Sequence, residues 1–259
     1  MKVVILCGGL GTRLREETEY KPKPMVEIGH RPILWHIMKI YSTYGFNDFI
    51  LCLGYKGEMI KDYFYHYKIR NSDFTIELGN RDITFHNANN DTSGWKVTLV
   101  DTGKEAMTGS RIKRVEKYVD GDIFMVTYGD GVTDMNINRL LEFHKSHGKT
   151  GTVTGVYPPS RYGELKIVGD TACSFREKPQ NNHAGAISGG YFVFNREFFD
   201  FLSADDGCVF EREPLERLAE ENQLKVYHYK GFWQCMDTYR DLKFLNELWE
   251  SGKAPWRVW

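Results

Sequence analysis

The first two dozen residues constrain this chain more than any other stretch. Val3-Val4-Ile5-Leu6 is an unbroken apolar run, the pattern of a strand buried on both faces of a parallel sheet. The run ends at Cys7-Gly8-Gly9-Leu10-Gly11-Thr12-Arg13. Glycines there let the backbone turn sharply and approach a ligand without a Cβ in the way. The N–H groups of such a loop can point inward and form an anion-binding concavity. Arg13 adds a planar guanidinium fork suited to phosphate oxygens. Lys21 and Lys23 follow on a segment stiffened by Pro22 and Pro24. A strand, a glycine loop, an arginine and a braced lysine predict a polyphosphate site.

Two familiar phosphate motifs do not fit. The dinucleotide fingerprint G-x-G-x-x-G needs glycine where this chain has Leu14, and a helix where Arg15-Glu16-Glu17-Thr18 leads into prolines. His147-Gly148-Lys149-Thr150 ends like a P-loop, but Phe143 stands where its first glycine belongs. The pattern that fits is Gly8-Gly9-x-Gly11-Thr12-Arg13-Leu14 followed by Lys21-Pro22-Lys23-Pro24-Met25. On these residues the sequence resembles the sugar-1-phosphate nucleotidylyltransferases, the nucleotide-sugar pyrophosphorylases. The plainer alternative is a glycine turn beside surface cations.

Composition narrows the field. The chain has 259 residues, 41% of them hydrophobic, enough for one large domain or two small ones with a sizeable core. Its net charge of −1 argues against a nucleic-acid or anionic-membrane surface, so a ligand anion must be met locally. The five cysteines are scattered, form no C-x-x-C and favour a reducing, cytoplasmic setting. No signal-peptide layout and no membrane-length apolar run is present.

Along the chain, hydrophobic periodicity predicts a helix from Pro32 to Tyr44, with Ile33, Ile37, Ile40, Tyr41 and Tyr44 on one face. A strand over Phe49–Leu53 and a helix over Gly57–Tyr67 complete a βαβα opening, which implies parallel strands. Thr75–Glu77 and Ile83–Phe85 read as a hairpin, and Asn87–Gly94 as a mobile loop. Further strands are expected at Val97–Val100, Ile123–Thr127 and Thr152–Val156, with helices at Ser110–Tyr118 and Asn138–Ser146. After Pro158 come short β segments at Glu164–Val168, Cys173–Arg176 and Ser188–Phe194, a helix at Pro214–Asn222 and a strand at Leu224–Tyr229. A closing helix spans Thr238–Glu250, and Trp256 and Trp259 in the tail imply docking on the body or on another subunit. The fold class is α/β, Rossmann-like: a mostly parallel sheet with helices on both faces and a β-rich sugar-binding part. It is read as one domain, with residues 1–157 mainly for the nucleotide and 158–259 mainly for the sugar phosphate.

Ligands of open α/β sheets collect at the carboxyl ends of strands. Gly129-Asp130-Gly131 follows an apolar strand, so Asp130 is a candidate Mg²⁺ ligand, with an Asp-Gly turn as the bland reading. Asp237 is a second metal candidate by resemblance, although its position also suits it to cap the last helix. The resemblance further implies catalytic roles for Arg13, Lys23, Asp130 and Asp237. It places the nucleotide against Leu6, Cys7, Gly8, Gly9, Leu10, Gly11, Thr12, Arg13 and Gly129, with Thr108, Gly109 and the Arg111 guanidinium at the base. It places the sugar phosphate against Lys23, Tyr128, Tyr162, Gly163, Glu177, Lys178, Gly189 and Gly190. Where relatives carry Ala and Pro, this chain has Cys7, which is small, and Cys235, which is expected to loosen the backbone that places Asp237.

Glu16, and Thr98–Gly103 followed by Met107-Thr108-Gly109 and Arg111, resemble one branch of the family. For that branch the implied reaction takes CTP and α-D-glucose 1-phosphate to CDP-glucose and pyrophosphate, with Mg²⁺. The resemblance also implies a homo-oligomer that supplies deoxysugars for surface polysaccharide. Two rivals remain at this stage: the same reaction with UTP or dTTP, and a non-catalytic sensor of nucleotide sugars.

Overall fold

In the computed structural model, which describes residues 1–86, 92, 94–158, 164–176 and 185–259, the fold is organised by alternation along the first strand. Strand β1 (Lys2–Leu6) turns Val3 and Ile5 into one hydrophobic cluster and Val4 and Leu6 into a second, so both of its faces are buried. The other sheet strands are β2 (Asp48–Leu53), β3 (Lys96–Asp101), β4 (Ile123–Tyr128), β5 (Gly151–Val156), β6 (Ile187–Asn195) and β7 (Leu224–Tyr229). They form a seven-stranded sheet in the order β7-β5-β6-β4-β1-β2-β3. β1 is parallel to β2 and to β4, β2 to β3, and β5 to β7. β6 alone runs antiparallel, against both β4 and β5. The strands and the mostly parallel sheet agree with the periodicity of the sequence. β6 and β7 are central-sheet strands, so the later residues complete the sheet begun by the earlier ones.

Helices cover both faces, as expected. Helix α1 (Ile33–Thr43) belongs to one cluster with Ile137 and Leu140 of the Ile137–His147 helix. Ile112 of a helix at Thr108–Arg114 and Leu218 of one at Glu213–Glu220 belong to the other. The Gly57–Tyr65 helix stops short of Tyr67, and Tyr67–Arg70 forms a separate turn. The hairpin Asp73–Glu77/Asp82–His86 forms with Phe74 opposite Phe85 and Ile76 opposite Ile83, and it leaves Phe74, Ile76, Leu78 and Ile83 exposed. A second hairpin joins Glu164–Val168 to Thr171–Arg176. Of the expected Asn87–Gly94 loop, all but Thr92 and Gly94 lies outside the described residues.

Two expectations about helices need correction, one at α1 and one at the last helix, Tyr239–Glu250. Thr238, not Asp237, is its N-cap: the Thr238 hydroxyl accepts the Asp241 N–H, and the Asp241 carboxylate accepts the Thr238 N–H at 2.9 Å. The Asp237 carboxylate is thereby left to face the cleft. The face of α1 is also wider than the predicted stripe, because Leu34, Trp35, His36 and Met38 are buried as well. The tail covers Trp35 and His36 by folding back on its own chain. Trp256 is fully buried, stacks on Phe232 and donates its indole N–H to His36 Nδ1 at 3.3 Å. Trp249 meets the same imidazole edge-on with ring centroids 4.7 Å apart.

His36 Nε2 lies 2.9 Å from the Ile28 carbonyl, so the neutral tautomer with a proton on Nε2 satisfies both ring nitrogens. Burial pushes its pKa down from 6.5 to about 4. The unfolded chain takes up this proton near pH 6.5 and the folded chain only near 4, so stability declines as pH falls through that window. At about 1.4 kcal/mol per unit, the full loss is on the order of 3 kcal/mol. Denaturant midpoints measured across this pH range are expected to fall more steeply for the wild type than for His36→Gln.

Candidate active site

The parallel register of β1 and β4 pairs Leu6 with Tyr128, so the glycine loop after β1 and Gly129-Asp130-Gly131 after β4 leave the sheet side by side. Gly129 N–H donates to Leu6 O at 3.1 Å, and a Cβ on Gly129 would lie 2.8 Å from that oxygen, so only glycine allows the approach. A third segment arrives from the far end of the chain. Trp233–Cys235 pairs antiparallel with Gly131–Thr133, and Met236 N–H donates to Asp130 O at 2.8 Å. Cys235 therefore sits inside a ladder opposite Gly131, and the backbone before Asp237 is held there by hydrogen bonds.

These three segments close on Lys23. Its ammonium lies 2.6 Å from Asp130 Oδ2 and 2.6 Å from Asp237 Oδ1. Arg13 Nη1 donates to the other Asp237 oxygen at 2.9 Å, from an otherwise exposed side chain at the mouth. Burial pulls the Lys23 pKa down, but the Asp130 and Asp237 carboxylates outweigh it and hold it above its usual value, so the side chain is an ammonium at neutral pH. One oxygen from each carboxylate thus converges on a single cation. Hard oxygen donors of this kind suit Mg²⁺, which at phosphates takes one or two protein carboxylates and fills the rest of its shell from phosphate and water. Among the described residues no cluster of three or more His, Cys, Asp and Glu side chains forms a larger metal site.

The cleft measures about 550 Å³, within the usual range for a small-molecule site. Of the residues named from sequence, Leu6, Cys7, Gly8, Gly9, Gly11, Thr12, Arg13, Lys23, Thr108, Arg111, Tyr128, Gly129, Asp130, Gly189, Gly190 and Asp237 line it. Leu10 points away and is exposed, and Gly109 is buried beneath Cys208. Tyr162, Gly163, Glu177 and Lys178 lie outside the described residues. Gly190 has a φ of +76°, and a Cβ there would come within 2.4 Å of the Tyr128 ring, so glycine lets that ring stand against the strand. Sequence reasoning missed Trp233, whose indole N–H donates to Gly189 O at 2.7 Å and which lines the cleft. Its position in an aromatic run before an aspartate was the available signal. Burial pushes the Cys7 thiol well above its ordinary pKa, so it is not an activated nucleophile.

Arg111, expected at the base, lines the cleft and is also held by main-chain oxygens. It is buried, and its two terminal nitrogens donate to the carbonyls of Leu53, Gly103, Gly8 and Lys104 and to the Thr102 hydroxyl. A Cβ on Gly8 would lie 2.2 Å from this guanidinium. Arg111 therefore braces the glycine loop through Gly8 O.

Comparison with known proteins places this geometry in context. The family profile described as nucleotidyl transferase matches residues 2–250. The chain is 51% identical to a glucose-1-phosphate cytidylyltransferase of Salmonella typhi over 260 residues, covering 100% of both chains. It is 31% identical to a mannose-1-phosphate guanyltransferase of Saccharomyces cerevisiae, over 95% of this chain and 63% of that one. Among solved structures, HddC from Yersinia pseudotuberculosis superposes with a TM-score of 0.68 at 26% identity, covering 96% of this chain and 99% of that one.

Replacing Arg111 by Met is expected to destabilise the protein by about 2–4 kcal/mol, because buried carbonyls lose charged donors. Arg111→Lys is expected to recover little, since a point charge cannot span the same acceptors. Urea denaturation of the two variants checks both outcomes.

Proposed function

This chain belongs to the nucleotidyl transferase family, and on that premise we propose that it transfers a cytidylyl group from CTP to α-D-glucose 1-phosphate, giving CDP-glucose and pyrophosphate. The end-to-end match to the Salmonella cytidylyltransferase supports the choice of substrates. The observation that carries the chemistry is the convergence of Lys23, Asp130, Asp237 and Arg13 beside the glycine loop.

The second pKa of a phosphate monoester is about 6, so at neutral pH the sugar phosphate is mostly a dianion and needs no general base. The obstacle is the approach of two polyanions. Positioning and charge neutralisation therefore carry the reaction. The N–H groups of the loop from Gly8 to Thr12 cradle the triphosphate, and Arg13 at the mouth holds the leaving β- and γ-phosphates. Lys23, partly buried between the walls, places its ammonium between the α-phosphate and the incoming sugar phosphate, which attacks in line. Asp130 and Asp237 would hold Mg²⁺, which supplies positive charge at the reacting phosphates. Thr108 stands at the base side and Tyr128, Gly189 and Gly190 at the sugar side.

The exposed apolar side chains of the Asp73–His86 hairpin support a homo-oligomer, which a solution mass measurement tests. The five scattered cysteines of the sequence, none in a C-x-x-C, support a reducing, cytoplasmic setting. Among the described residues no helix is long and apolar enough to cross a membrane.

Pyrophosphate release with glucose 1-phosphate and Mg²⁺ is expected with CTP and not with UTP, dTTP, GTP or ATP; release with another nucleotide instead overturns the base assignment. Lys23→Ala and Asp237→Asn are each expected to lower kcat by about a hundredfold or more in folded protein. A folded Lys23→Ala enzyme with near-normal kcat removes Lys23 from the chemistry. Chelation of the metal is expected to stop turnover with CTP.

A further inference from the structure

Glu211 lies outside the loop, the cations and the metal-binding pair, yet both of its carboxylate oxygens end on residues of the cleft. Oε2 accepts the Thr108 hydroxyl at 2.6 Å, and Oε1 accepts the Tyr128 phenol at 2.6 Å. Both distances are those of charge-assisted O–H···O⁻ bonds, which are shorter and stronger than neutral ones. Thr108 opens the Thr108–Arg114 helix, and Tyr128 ends β4, so the two hydroxyls belong to different walls. A carboxylate only accepts, so one Glu211 side chain fixes two hydroxyl rotors at once.

The surroundings of this bridge are also ordered by hydrogen bonds. Met107 N–H donates to Asp206 O at 2.9 Å, and Gly109 N–H to Cys208 O at 2.9 Å. Phe210 N–H donates to the Thr108 hydroxyl oxygen at 3.0 Å. The strand of chain leading into Glu211 is therefore stitched to the base-side wall. On the other side the Tyr128 ring rests against Gly190.

We infer that Glu211 is a positioning residue that ties the base-side wall at Thr108 to the sugar-side wall at Tyr128 and so sets the spacing at which nucleotide and sugar phosphate are held. The inference rests on the reading of the cleft given above. Glu211 itself is exposed, and an exposed carboxylate adds little to fold stability. Its removal is therefore felt at both substrates rather than in the melting temperature.

The test is steady-state kinetics of Glu211→Ala, varying each substrate in turn, with Tm measured alongside. The KM values for CTP and for glucose 1-phosphate are both expected to rise about three- to tenfold, the range for one lost hydrogen bond each, while Tm changes little. Glu211→Gln, which keeps the shape and one carbonyl acceptor, is expected to recover part of the loss. In a Tyr128→Phe background, adding Glu211→Ala is expected to raise the KM for CTP but not, further, that for glucose 1-phosphate. Wild-type KM values in Glu211→Ala, a rise for one substrate alone, or additivity with Tyr128→Phe at the sugar phosphate overturns the inference. If Glu211→Ala does not fold, Glu211→Gln carries the comparison, and unchanged KM values there overturn it equally. Wild-type turnover in the same assay judges the substrate assignment separately: if the wild type uses another nucleotide or sugar phosphate, that assignment fails, and the paired rise is sought with the pair it uses.

Discussion

The Lys23 ammonium between two carboxylates is the interaction on which the site depends. It joins Lys23 to Asp130 across 107 residues and to Asp237 across 214. Two carboxylates held this close repel one another unless a cation stands between them, and in a partly buried site that repulsion is poorly screened. The fold makes the meeting unavoidable. Parallel pairing of β1 with β4 sets Asp130 beside the glycine loop, and the short ladder between Trp233–Cys235 and Gly131–Thr133 delivers Asp237. The Thr238 cap completes the arrangement by leaving the Asp237 carboxylate to Lys23 and Arg13.

Around that centre the protein uses backbone where contact must be close and braces where it must be rigid. The glycine loop can neither pack nor stiffen itself, so Arg111 ties Gly8 O to the carbonyls of Leu53, Gly103 and Lys104. Trp233 braces the opposite rim through Gly189 O, and Tyr191, fully buried, donates its hydroxyl to Gly131 O at 2.8 Å. These side chains serve the site by fixing main-chain atoms, and none of them is a reacting group.

Much of this was legible in the sequence, for identifiable reasons. An apolar run ending in glycines, as at Val3–Gly11, has few structural outcomes, and the same logic located Asp130 after Ile123–Thr127. The carbonyls that hold Arg111 were not legible, because sequence shows a guanidinium without showing which main-chain oxygens turn toward it. Asp237 and Thr238 are both good capping residues, and only the geometry of Asp241 decides between them. The tail was left with two possible docking sites; burial of Trp256 against His36 and Phe232 selects its own body. Glu211 had no signal, since a glutamate in a charged run gives no hint that both of its oxygens reach the cleft.

On this reading the chain manages charge and position and contributes no nucleophile of its own: Cys7 is a buried thiol of raised pKa, and the groups at the centre are two cations and two carboxylates. The stereochemical course at the α-phosphorus tests that claim most directly. Turnover of a single diastereomer of CTP carrying sulfur on the α-phosphate, with the configuration of the resulting CDP-glucose analogue read by phosphorus NMR, distinguishes one displacement from two. Inversion is expected, the outcome of one in-line attack by the sugar phosphate. Retention would mean that a protein side chain had first taken the cytidylyl group, and would contradict it.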